Sequence, residues 1–119
     1  VETHPLRGAL FENLVVAEVL KWFWHRGRRA GLYFYRDSEG IEIDLLIELG
    51  NGIFPVEIKS GETINNDFFK GLRSFARQYR QAPPNGGALV YGGRAAQNRD
   101  TVTVVPIGGI AGLLRSVAG

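Results

Sequence analysis

Residues 41–59 read IEIDLLIELGNGIFPVEIK. Two β-branched and aliphatic runs flank Gly50-Asn51-Gly52, a tripeptide suited to a tight turn. The stretch therefore predicts a strand from Ile41 to Leu49, a turn, and a strand from Ile53 to Lys59. Side chains alternate faces along a strand. Glu42 and Asp44 then share a face of the first strand, with Ile41, Ile43, Leu45 and Ile47 on the apolar one. Glu57 and Lys59 share a face of the second, and Val56 and Ile58 take the other. Paired strands lie about 5 Å apart. Asp44 and Glu57 converge if the register brings them level.

Further strands and helices follow outward from this hairpin. Leu32-Tyr33-Phe34-Tyr35-Arg36 is a strand by its aromatic content, joined to the hairpin by the turn Asp37-Ser38-Glu39-Gly40. Pro5 to about Trp24 reads as a long helix, with Pro5 at a first position and Gly27 as a stop. Leu6, Leu10, Leu14 and Ala17 mark one side of it; Phe11, Val15, Val19 and Trp22 widen the apolar face, which predicts burial on more than one side. Asn65 to about Tyr79 is a second helix, with Phe68, Phe69, Leu72, Phe75, Ala76 and Tyr79 on one side. Ala88–Tyr91 is a short apolar strand of the kind found inside a covered sheet. Thr101–Val105 is a further strand and Ile110–Val117 a terminal helix.

The order is α-β-β-β-α-β-β-α. The third strand, second helix and fourth strand form a crossover, which makes the fourth strand parallel to the third. Helices cover both faces of a mixed sheet, giving a three-layer α/β/α domain. Its 119 residues suffice for one domain with a single core, spanning residues 1–119.

Composition bounds the function. Hydrophobic residues make up 45%, as in an ordinary globular domain, and no apolar run reaches the roughly 18 residues that span a bilayer. Cysteine is absent, which leaves no disulfide or thiolate metal site and fits a cytoplasmic location. The N-terminus lacks the order of a signal peptide. Val1 stands where an initiator Met would, so the expected setting is a domain of a longer chain. A net charge of +2 neither requires nor excludes nucleic acid.

Two converging carboxylates resist joint ionisation. A hard divalent cation such as Mg²⁺ or Mn²⁺ relieves that and favours oxygen ligands. Lys59, two residues beyond Glu57, can orient water or neutralise charge building on a phosphate. Asp44, Glu57 and Lys59 thus have the parts for metal-assisted phosphodiester hydrolysis, with Glu12 as a further acid on an otherwise apolar helix. The competing reading is a solvated polar sheet face.

These residues resemble the PD-(D/E)XK nuclease superfamily. More narrowly, the chain resembles the DUF4143-type domain at the C-terminal end of many prokaryotic AAA+ ATPases. The matching stretches are Gly8–Asn13, Leu32–Asp37, Glu42–Ile47, Val56–Gly61 and Leu89–Gly93. The resemblance implies a restriction-endonuclease-like core, with Asp44 and Glu57 as metal ligands, the Ile58 carbonyl assisting, Lys59 as the catalytic lysine, and Glu12 as the helix-borne acid of some branches. It implies Mg²⁺ or Mn²⁺ as cofactor, DNA as partner and an ATPase module in the same chain. A homo-oligomer is compatible with it; a membrane is not expected. Ile43 stands in place of the Pro of the superfamily's name. Members of the ATPase-linked group have no agreed activity, so a catalytically silent module that binds nucleic acid or a protein partner is the alternative.

Lys70, Arg73, Arg77 and Arg80 are spaced 3, 4 and 3. At about 100° per residue they occupy roughly an 80° sector beside the apolar face of the second helix, a stripe able to follow a phosphate backbone. His25-Arg26-Gly27-Arg28-Arg29 complements the dipole at the end of the first helix. Trp22, Phe23 and Trp24 read as core or domain interface. His4 and His25 have no ligand-like spacing.

Overall fold

The computed structural model describes residues 5–50, 52–79, 86–99 and 101–119. The first helix, α1, runs Pro5–His25. It ends in a Schellman arrangement: Gly27 at φ 66° donates its N–H to the Trp24 carbonyl, and Arg28 donates to Phe23. Gly takes this left-handed conformation without a Cβ penalty, so the last carbonyls are satisfied where the helix stops.

Strands β1 (Gly31–Arg36), β2 (Glu42–Leu49) and β3 (Gly52–Lys59) form the expected antiparallel meander. Asp37 sets the first turn, its Oδ1 accepting from the N–H groups of Glu39 and Ile41. A 3₁₀ turn, Asn66–Phe69, leads into α2, Lys70–Gln78. The single helix expected from Asn65 to Tyr79 is therefore two pieces. The Asn65 side chain accepts from the Asp67 N–H and starts the tighter turn.

Strand β4 (Ala88–Tyr91) lies parallel to β3, as the crossover requires. Strand β6 (Val102–Pro106) lies parallel to β4, and β5 (Gln97–Arg99) pairs antiparallel with β6 at the edge. The sheet is six-stranded and mixed, in the order β1-β2-β3-β4-β6-β5. β5 was not anticipated: Gln-Asn-Arg is polar, with Gln97 and Asn98 exposed and Arg99 half-buried, and no apolar alternation marks it. A 3₁₀ turn, Ile107–Gly109, opens α3, Ile110–Ala118.

The class is α/β with helices on both faces. On one, α1 and α3 bury Val15, Val19, Phe23 and Leu114 against Leu45, Ile47, Phe54, Val56, Ile58 and Val90. On the other, Phe69 and Leu72 meet Leu89, Tyr91, Val102 and Val104, and Phe75 meets Ile43 and Leu46.

Two sequence expectations fail here. Ile43 does not share the face of Leu45 and Ile47. The β1–β2 register shifts between Tyr33 and Tyr35, opposite Leu46 and Ile43, and a bulge of this kind inserts a residue and breaks the two-residue alternation. Ile43 thereby turns to the α2 side. Nor is α1 buried on several sides: Leu6, Leu10 and Leu14 are 59%, 59% and 50% exposed. No helix among the described residues is long and apolar enough to cross a membrane.

Candidate functional site: an acid-lined cavity where two strands part

The β2–β3 ladder pairs Leu45 with Val56 and continues toward the turn. On the other side of this pair, side chains take over the hydrogen bonding. The Ile58 N–H donates to Asp44 Oδ2 at 2.8 Å, and the Asp44 N–H donates to Glu57 Oε1 at 3.0 Å. Each acid thus accepts from the backbone of the strand opposite. The register does bring Asp44 and Glu57 level, and two charge-capable N–H···O bonds lock both carboxylates in place.

Asp44, Glu12 and Lys59 line one cavity of about 400 Å³. α1 supplies Glu12, β2 supplies Asp44, and the end of β3 supplies Lys59. Ile58, Ser60, Asn65 and Phe68 complete much of its wall. Lys59 Nζ stands 5.3 Å from the centre of the Phe68 ring, a cation–π distance that restrains the ammonium at the cavity wall.

Glu57 sits differently. It is the one buried charged residue among those described, 7% exposed, and it does not line the cavity. Its Oε2 points to α2 at Gly71: a Cβ there would stand 3.7 Å from that oxygen and 2.9 Å from the Glu42 carbonyl. Glycine at 71 is what lets α2 approach the acid.

Electrostatics tie the four groups together. Burial pushes the Glu57 carboxyl up from 4.5 to about 8, helped by the charge of Asp44 and opposed by the Asp44 N–H and by Lys59. Partial burial raises Glu12 above 4.5 as well, with Asp44 adding to the rise and Lys59 opposing it. Asp44 is the hub that disfavours both other anions, and Lys59 is the common counter-charge.

Fitness for a cation follows from the donors present. Asp44 has an oxygen not used by Ile58, Glu12 faces the same cavity, and both gain from a positive charge between them. The set is not a closed cage: among the described residues no group of three or more His, Cys, Asp or Glu side chains is placed to hold an ion. Glu57 stands behind the cavity wall.

The basic stripe lies elsewhere. Lys70, Arg73 and Arg77 are exposed on α2. Lys70 pairs with Asp67 at 3.5 Å, and Arg73 lies 5.8 Å from the Phe69 ring centre. Arg73 and Arg77 border a separate cleft of about 260 Å³ with Leu72 and Thr101. None of the three lines the Asp44 cavity. Arg80 is outside the described residues.

Phe68, Ser60 and Asn65 were not anticipated as site residues. Only the aromatic of Phe68 gave a signal, and helical periodicity assigned it to the core. Ser60 Oγ is buried with no hydrogen-bond partner among the described residues.

The family described as Domain of unknown function (DUF4143) matches residues 7–110 of the chain. The protein belongs to this family. The match contains every acid and lysine of the site. No curated protein and no solved structure matches the chain.

Proposed function

We propose that this DUF4143 domain is a metal-dependent phosphodiester hydrolase of the PD-(D/E)XK type acting on DNA. The observation that carries the reading is the convergence of Glu12, Asp44 and Lys59, from three separate elements, on one cavity, with Glu57 bonded to the Asp44 backbone beneath it.

Mg²⁺ or Mn²⁺ bound here would polarise a phosphoryl oxygen and lower the pKa of a water. Asp44, Glu12 and the Ile58 carbonyl would hold it from the cavity side, while Glu57, behind the wall, would position Asp44 through the Asp44 N–H. The chain's own groups do the rest. The Ile58 N–H fixes one Asp44 oxygen and leaves the other free to bind. Lys59, held against Phe68, brings a positive charge to the phosphate as negative charge develops. Asn65 offers a polar contact to the sugar–phosphate chain at the wall. Arg73 and Arg77, on the neighbouring face of α2, would hold the strand beyond the cut.

Cleavage of DNA with Mn²⁺ tests this. Asp44→Ala and Lys59→Ala should each abolish it, and calorimetric Mn²⁺ binding should weaken at least tenfold in Asp44→Asn, about 1.4 kcal/mol. Cleavage unchanged in these variants refutes the assignment.

One observation favours a second reading: the acids form no closed three-ligand cage among the described residues. A catalytically silent module would bind nucleic acid through Arg73 and Arg77, or a protein partner such as an ATPase module of the same chain. Salt-sensitive DNA binding with no turnover and no Mn²⁺ affinity is its signature.

A further inference from the structure

α1 is apolar on the side that the sheet does not cover. Leu6, Leu10, Leu14 and Trp24 are 59%, 59%, 50% and 64% exposed, four of the seven exposed large hydrophobic side chains among the described residues. Val15, Val19 and Trp22, which pack into the core, stand roughly opposite them at about 100° per residue. A helix that is apolar all round is normally buried all round. Here the domain covers one side only, and a contiguous exposed apolar patch marks an interaction surface.

The outer side carries a seam with a definite spacing. Leu6, Leu10, Asn13, Ala17, Leu20 and Trp24 follow one another at 4, 3, 4, 3 and 4 residues. That alternation keeps one side of a helix against a partner helix, and it confines the six residues to about an 80° sector. Asn13 is exposed, Ala17 and Leu20 are half-buried, and none of the three packs on the core. Arg7, Leu14 and Lys21 run along one edge of the seam. Gly8 and Glu12, which line the acid cavity, lie on the far side of α1, so a partner on the seam leaves that cavity open.

The pattern of the seam selects the partner. It reads alike from either end: bulky Leu6 and Leu10, then small Asn13 and Ala17, then bulky Leu20 and Trp24. Its midpoint is Val15. In an antiparallel pair centred there, Leu6 of one copy meets Trp24 of the other, Leu10 meets Leu20, and Asn13 meets Ala17. The small middle admits close approach, and the exposed Leu14, one residue from the midpoint, meets Leu14 of the second copy across the axis. A surface that complements itself in this way is what a two-fold interface requires.

Charge fixes the direction. A parallel pair would set Arg26, Arg28 and Arg29 of the two copies side by side, whereas an antiparallel pair parts them by the length of the helix. Arg7 then comes level with Lys21 of the second copy, whose charge Glu18 already balances at 3.0 Å. Size sets the strength. The seam is about 27 Å long and, with exposed Ala111 of α3 beside Lys21, about 20 Å wide. That footprint is below the roughly 800 Å² per partner of a standard interface, so the expected Kd is micromolar.

We propose that the outer face of α1 is a homodimer interface, with two copies of the chain packed antiparallel from Leu6 to Trp24. The dimer is independent of the hydrolase reading, since it uses no group of the acid cavity.

Equilibrium sedimentation of the full chain in a chelator, without DNA, tests this over about 1 to 500 μM. The mean mass should rise from that of one chain toward that of two and stop there. Leu10→Glu combined with Leu14→Glu, at exposed positions and with an unchanged far-UV circular dichroism spectrum, should hold it at one chain. The chain has no cysteine, so single cysteines report the geometry. A short bis-maleimide should join Leu14→Cys chains to one another. It should not join Leu6→Cys chains, whose cysteines stand about 27 Å apart, but should join Leu6→Cys to Trp24→Cys in an equal mixture. A single-chain mass throughout, growth beyond two chains, association that survives the double Glu variant, or Leu6→Cys cross-linking as fast as Leu14→Cys overturns the proposal.

Discussion

Consider Glu57→Gln in metal-free protein. In the folded chain burial and Asp44 hold the Glu57 proton up to about 8, against 4.5 when exposed. The sign follows directly: a raised folded pKa means that the native state binds the proton more tightly than the unfolded chain does. Stability from this group is fully present below 4.5 and is lost as pH rises through about 8. At about 1.4 kcal/mol per pH unit, ionisation costs on the order of 5 kcal/mol across that interval as an upper bound. That is comparable with the whole stability of a small domain. Gln keeps an oxygen to accept the Asp44 N–H but cannot ionise. Urea unfolding in a chelator at about pH 5, 7 and 9 reads the difference. The parent midpoint should fall steeply with pH and the Glu57→Gln midpoint should not, leaving the variant more stable by several kcal/mol at the alkaline end. Mn²⁺ should restore the parent alone. Parallel pH profiles for the two proteins would refute the reasoning.

Gly71→Ala should destabilise by about 1–3 kcal/mol in urea unfolding, because its Cβ would come 2.9 Å from the Glu42 carbonyl and force α2 outward. Arg73→Ala combined with Arg77→Ala should lower the slope of log K against log salt for DNA by about 2, measured by fluorescence anisotropy, with little change in Mn²⁺ affinity. Leu10→Ala should cost under about 1 kcal/mol by thermal unfolding, since the side chain is 59% exposed, whereas Phe54→Ala, fully buried, should cost about 3–5 kcal/mol.

Much of this architecture was legible because local patterns and global packing agree. The apolar runs of β2, β3 and β4 each mark a strand covered on both faces, and the helix between β3 and β4 dictates their parallel pairing. Asp44 and Glu57 were legible as a pair because a short antiparallel hairpin fixes which positions come level. What escaped depends on events across elements. The irregular β1–β2 register that turns Ile43 toward α2 has no marker in residues 41–47. The burial of Glu57 needed the position of Gly71, from a helix after the crossover. Leu6, Leu10 and Leu14 have the spacing of a buried face, yet the sheet is covered by the other side of α1. Three polar residues at β5 carry no periodic signal at all.

The cross-strand bonds of Asp44 and Glu57 make these acids part of the scaffold as well as of any chemistry. Where the ladder ends, they are the acceptors that two main-chain N–H groups require. A relative without any hydrolase activity would still need oxygen at both positions to keep its hairpin closed. Persistence of the acidic pair thus reports on folding first. Amide substitutions, which keep the acceptor and discard the charge, are the changes that separate the joinery of this domain from its trade.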